Sequence, residues 1–162
     1  MSVELERGEV DQLAVRWRAG WQGAGFEACC TPDVTYEDPV AVHPLRGVEA
    51  LDRHAMTVRA AFPDLRVEAT SPPLGRGSHA CVPWRALGTH RADIGALPAT
   101  DRFVTLHGLH YLELVDGGVR RARGFFDLYD AATQLGLLPA RGGLGETALL
   151  MLRGFGLRRR PE

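Results

Sequence analysis

The strongest constraint in this sequence is a pair of strand-length runs, Phe103 to Val115 and Val119 to Leu128, joined by Asp116-Gly117-Gly118. Both runs have the length of a strand. The joining residues tolerate the positive φ that a tight hairpin needs. A hairpin of that length must bury one face, so other parts of the chain have to cover it. The covering elements lie upstream. Val10, Leu13, Ala14, Trp17 and Trp21 recur at helical spacing until Gly23 and Gly25. From Gly47 to Phe62 the residues Val48, Leu51, Ala55, Val58 and Phe62 step by three and four, which predicts a helix with one buried stripe, ended by Pro63. A short helix is expected at Phe26 to Cys30, then strand character from Val34 to Tyr36. Leu65, Val67 and Ala69 alternate, Ser71 to Ser78 reads as a loop, and Cys81 to Gly88 as a strand whose Pro83 suggests an edge or a bulge. Helices first and an antiparallel sheet afterwards predict an α+β domain in which a curved sheet wraps the helices.

A chain of 162 residues has the size of one domain, and no repeat or linker divides it. With 19 basic and 20 acidic residues the net charge is −1, which leaves no overall field to draw the protein onto nucleic acid or an anionic membrane. Only the end is basic, with Arg153, Arg158, Arg159 and Arg160. Three cysteines, Cys29, Cys30 and Cys81, form neither a CxxC pair nor a disulfide framework, and read as small buried hydrophobes in a reducing compartment. Met1 to Gly8 is charged and lacks the apolar core of a signal peptide, and no apolar run approaches the length of a membrane span. A cytoplasmic protein is the expectation. The six histidines show no HxxxH or HxH cluster, so neither a metal site nor a cofactor is expected.

The segments "WQGAGFEACCTPDVTYEDP", the Gly47 helix ending in "FPDL", "GTHRADIGALPAT" and "DGGVRRARGFFDLYDAATQLGLLP" resemble, in this order, the SnoaL-like polyketide cyclase branch of the nuclear transport factor 2-like superfamily. The resemblance covers about residues 9 to 139, leaving 140 to 162 as an apolar and basic extension. It implies a cone of three N-terminal helices packed in a curved, mostly antiparallel sheet, an apolar pocket at the open end, and a homodimer. Fold is implied more firmly than reaction, because one fold hosts many chemistries.

Asp127, in the Phe-Phe-Asp position of the resemblance, is the expected general base. Flanked by Phe125, Phe126, Leu128 and Tyr129, its carboxylate is expected to have a raised pKa. The base would remove a proton α to a carbonyl of a polyketide-like substrate, and the enolate would close a ring by an intramolecular aldol step. A helix-capping or arginine-paired aspartate is the plainer alternative. His110, on the more apolar face with Leu106, Gly108, Leu112 and Leu114, and His90, after Gly88-Thr89, are the expected stabilisers of the enolate oxygen. Tyr36 and Asp38 fall where the family lines its pocket, although Asp38-Pro39 also suits an Asx turn. Trp17, Trp21, Phe62, Trp84 and Phe125 are expected to complete a ligand-binding wall.

Two other functions fit the sequence. One is binding of a small apolar or aromatic carbonyl ligand without turnover. The other is epoxide hydrolysis, for which Arg91-Ala92-Asp93 together with Asp127 imitates the Arg-x-Asp arrangement of a related enzyme. The extension, with Leu149, Leu150, Leu152, Phe155 and Leu157 beside the arginines, is expected to cover the domain's own apolar surface; a dimer contact and a membrane-surface anchor are its alternatives.

Overall fold

A computed structural model describes residues 7–153. Helix α1 (Arg7–Ala19) runs into a π-helical turn, Gly20–Ala24, that carries Trp21. Strands β1 (Cys30–Glu37) and β2 (Leu45–Arg46) follow, then α2 (Val48–Ala61) and the strands β3 (Arg66–Ala69), β4 (Leu74–Arg76), β5 (His79–Thr89), β6 (Phe103–Val115) and β7 (Gly118–Phe126). Helices α3 (Leu128–Gln134) and α4 (Leu144–Leu152) end the described chain. The sheet order is β2-β1-β7-β6-β5-β3, with β4 also on β5; among the described strands only β1 and β7 run parallel. This is the expected α+β class with a mostly antiparallel sheet.

The β6–β7 hairpin forms as the sequence predicts. Asp116 and Gly117 adopt φ of 50° and 79°, the left-handed pair whose twist matches the flanking strands. Its inner face, with Val104, His110, Leu112, Leu114, Val119 and Ala122, is buried, and Val10, Leu13, Trp17 and Leu51 from the two N-terminal helices join the same core. Pairs of core aromatics meet edge-on or tilted, as Trp17 does with Trp21 and Phe26, an arrangement favoured by ring quadrupoles.

The helix count changes. The three-helix N-terminal half contains two helices, because residues 26 to 29 make a turn in which Cys29 and Cys30 both donate their N–H to the Phe26 carbonyl. Phe26 is fully buried against Trp17 and Trp21, which holds that turn under α1 instead of letting it extend as a separate helix. Pro83 sits where the outer pairing of β5 is interrupted and its register shifts, the kind of irregularity its presence in a strand suggests. It sits in β5 between the positions paired by β4, which end at Cys81, and those paired by β3, which begin at Trp84. Its missing N–H faces that gap, while its other side stays in register opposite Leu109.

Candidate functional site

The helices and the concave face of the sheet leave a cavity of about 300 Å³, at the small end of the range for small-molecule pockets. Most of its wall is apolar, with Val58, Phe62, Val67, Val104 and Leu106 typical of it. Four polar side chains interrupt that wall: Tyr36, Asp38, His54 and His110.

Strand and helix periods bring these four together. Val34, Tyr36 and Asp38 alternate inward along β1 and its end. His110 faces inward on β6, opposite Gly124 of β7. A Cβ on Gly124 would lie 2.7 Å from the Tyr36 hydroxyl, 3.2 Å from Asp38 Cβ and 3.4 Å from His110 Cδ2, so the absence of a side chain there allows the polar groups to converge. Gly108 does the same for the neighbouring wall, since a Cβ would meet Trp84 Cζ2 at 2.2 Å. Trp84 stacks on one face of His110 at 5.3 Å and Trp21 at 5.4 Å, clamping the imidazole between two indoles.

Asp38 and His54 form the central pair. Asp38 Oδ2 lies 2.8 Å from His54 Nε2, and its side chain is only 5% exposed. Its other oxygen, Oδ1, accepts the backbone N–H groups of Val40 (2.7 Å) and Ala41 (2.6 Å), so the Asx turn is also present. Burial is the largest single influence on this carboxyl and pushes its pKa up. The His54 hydrogen bond and charge, with the two backbone donors, more than offset it and hold the group below the usual carboxylate value. An ionised Asp38 accepts the N–H of the facing ring nitrogen, so His54 carries a proton on Nε2.

Burial, followed by the negative charge of Asp38 and a hydrogen bond to it, raises the Tyr36 hydroxyl well above its ordinary pKa, so it stays a donor. It lies 3.4 Å from His110 Nε2. Burial pushes His110 down to about 3, against a smaller upward pull from Asp38. The cavity therefore holds an anion paired with a histidine, a protonated phenol and a neutral imidazole.

Trp21, Tyr36, Asp38, Phe62, Trp84 and His110 all line this cavity. The structure places Asp127 elsewhere. Its side chain is 51% exposed, caps α3 by accepting the Asp130 N–H at 2.9 Å and pairs with Arg141 at 3.2 Å. It borders a separate pocket of about 280 Å³ with His107, Tyr129 and Arg141. The expected rise in its pKa is reversed: the Asp130 N–H, outweighing slight desolvation, lowers it together with Arg141 and the Tyr129 N–H. Phe125 also turns outward, 47% exposed with Arg123 over its ring, because β7 directs Ala122, Gly124 and Phe126 inward. Phe126 takes the wall position instead. Trp17 is buried behind the wall, in the core, 5.4 Å from the His110 ring.

His90 sits at the start of the 90–102 loop. It is fully buried, its Nδ1 accepts the Thr100 N–H at 3.2 Å, its ring packs on Phe62, and it does not line the cavity. Arg91 pairs with Asp101, while Asp93 accepts the Ala99 N–H, so the Arg-x-Asp segment lies in an exposed loop and does not line the cavity. Sequence reasoning missed His54. The signal was present, because His54 stands three residues after Leu51 and four before Val58, both on the apolar stripe of α2.

The wider comparisons agree with this architecture. TsrD from Streptomyces laurentii is 24% identical, with a TM-score of 0.74, over 83% of this chain and 100% of its own. A protein from Jannaschia sp. CCS1 classed with the SnoaL-like polyketide cyclases is 19% identical, with a TM-score of 0.71, over 82% of this chain and 94% of its own. A Catenulispora acidiphila protein with a ketosteroid isomerase-like fold is 16% identical, with a TM-score of 0.64, over 78% and 93%. At these identities the likeness establishes the fold. No curated protein matches the chain by sequence. The model of the SnoaL-like polyketide cyclase family, however, matches residues 8–135, and with the nuclear transport factor 2-like fold around the cavity this places the chain in that family.

Proposed function

We propose that the chain is a cofactor-free cyclase or isomerase that removes a proton α to a carbonyl of an apolar, polyketide-like substrate, with the Asp38–His54 pair as its base. The observation that carries this reading is the 2.8 Å contact between a buried carboxylate and a histidine in the wall of an otherwise apolar cavity. Asp38 orients the ring and stabilises the imidazolium, and His54 Nδ1 takes the proton. The Tyr36 hydroxyl, kept protonated, donates to the enolate oxygen, with His110 as its hydrogen-bond neighbour. In a ring closure the enolate carbon bonds to a second carbonyl carbon of the same molecule, and the new alkoxide recovers the proton from His54. Asp127, ionised and paired outside the cavity, lacks the enclosure a base needs, so the role is reassigned.

The test is deuterium exchange at the α-carbon of aromatic polyketide esters and cyclic ketones, read by mass spectrometry. Asp38→Asn and His54→Gln should each slow exchange by ~10²- to 10⁴-fold, the usual contribution of a general base. Absence of exchange above buffer by the unaltered protein would leave ligand binding without turnover as the better reading. A loss in Asp127→Asn with none in His54→Gln would return the base to Asp127.

A further inference from the structure

The cavity of about 300 Å³ and the pocket of about 280 Å³ at the Asp127–Arg141 pair share a single lining residue among those described, Leu106. Leu106 pairs with Ala86 of β5 on one side, but on the other side β6 has no β7 partner beyond Gly108. Helix α3 takes that place, with Gln134 accepting the Thr105 N–H and donating to the Thr105 carbonyl, each at 2.8 Å. The two spaces differ in character. Asp127, Asp130 and Arg141 line the second, whereas no arginine or lysine lines the first among the described residues. The one carboxylate of the cavity is already satisfied, since Oδ2 of Asp38 faces His54 at 2.8 Å and Oδ1 accepts two backbone N–H groups. An ion of either sign would lie in the cavity against apolar side chains with no free partner, and a charge buried that way is costly.

We propose that the cavity takes an uncharged carbonyl compound of about two fused rings, a ketone, ester or amide rather than a free acid, and that Leu106 sets this size limit. Volume carries the first half. An apolar cavity of about 150 Å³ holds one benzene ring, so about 300 Å³ leaves room for two rings and not for four. Charge carries the second, because the ligand meets donors such as the Tyr36 hydroxyl but no cation that is free to pair with it. Leu106 is where the limit can be moved. Truncating its side chain would open the cavity towards the second pocket and roughly double the space. The ligand class rests on the reading of this cavity as the site of turnover, and binding measured without chemistry separates the two.

The experiment is equilibrium dialysis of the full chain at pH 7 against 2-naphthamide, 2-naphthoate and estrone: a neutral two-ring carbonyl compound, an anion of the same size and a four-ring ketone. The unaltered protein should hold 2-naphthamide, bind the anion weaker by ~100-fold or more, as an unpaired buried charge requires, and leave estrone unbound. Leu106→Ala, checked for folding by circular dichroism, should raise the affinity for estrone relative to 2-naphthamide by ~10-fold or more, since the added rings then bury apolar surface. Leu106→Val, the milder truncation, should move the ratio in the same direction. Three results with the unaltered protein would overturn the inference: no binding of 2-naphthamide, 2-naphthoate bound as tightly as the amide, or estrone bound as tightly as either. A ratio unchanged in both folded Leu106 variants would overturn the part given to Leu106. Failure of α-proton exchange while these affinities hold would strike the base assignment and leave the ligand class standing.

Discussion

The histidine held between two indoles makes the protein sensitive to mild acid in a calculable way. His110 has an ordinary pKa of 6.5, and burial pushes it down to about 3 in the folded protein. The unfolded chain therefore binds this proton first as pH falls. The stabilisation is fully present above about 6.5 and is lost progressively between about 6.5 and about 3. Over the step from pH 7 to pH 5 the loss is about 2 kcal/mol, a visible fraction of the ~5–15 kcal/mol that typically holds a domain folded. The buried Asp38, whose pKa is depressed by His54 and two backbone donors, contributes stability that disappears only below the ordinary carboxylate value of 3.8. Its window thus lies below the step from pH 7 to pH 5. Urea unfolding at pH 7 and pH 5 of the unaltered protein and of His110→Gln checks the reasoning, because the other titrating groups are common to both. The drop should be smaller in the variant by about 2 kcal/mol. Parallel drops in the two proteins would refute the assignment of a neutral, desolvated imidazole to this site.

Other outcomes follow from particular contacts. Gly108→Ala places a Cβ against Trp84, so it should lower the urea midpoint by an overpacking cost of ~1–3 kcal/mol and shift tryptophan fluorescence; an unchanged midpoint contradicts the close approach. Asp127→Asn keeps a side-chain cap for α3 and should leave melting temperature and α-proton exchange near wild type, whereas Asp127→Ala should lower the melting temperature without touching exchange. The outer sheet face carries exposed Phe103 and Phe125 beside His107 and Tyr111, and we expect it to pair in a homodimer. Sedimentation should give a dimer at high micromolar concentration and a monomer for Phe103→Glu; a wild-type monomer under those conditions rejects this interface.

The elements most legible in the sequence were those specified locally. Asp116-Gly117 carries its turn geometry in its own φ preferences, and the stripe of α2 needs only a period of three and four. Contacts made across the sequence were less visible. β1 pairs in parallel with β7 through a register irregularity between Cys30 and Thr35, in the stretch that contains Pro32. Nothing near Pro32 announces a strand that joins the far end of the chain. The expected helix at Phe26 to Cys30 failed for a related reason: Phe26 is committed to a nest formed by Trp17, Trp21 and the side-chain-free Gly20, a tertiary contact that outweighs local propensity.

The candidate site shows how neighbours in sequence differ from neighbours in space. Asp127 seemed enclosed because aromatics flank it, but successive residues of an extended chain point to opposite faces. Phe126 goes into the cavity, Phe125 goes to solvent, and Asp127 leaves the strand to cap a helix. Its flanking rings cannot desolvate it from there, and a carboxylate that accepts an N–H and faces an arginine is held ionised rather than made basic. The same alternation, counted from Val34 through Tyr36, carries Asp38 inward, and the helical period carries His54 to meet it. Enclosure alone would have protonated Asp38 or driven it outward. The histidine and the two backbone donors let it remain an anion beneath an apolar wall, and that is the condition under which a carboxylate can orient a neighbouring imidazole and stabilise the cation formed when the ring takes up a proton.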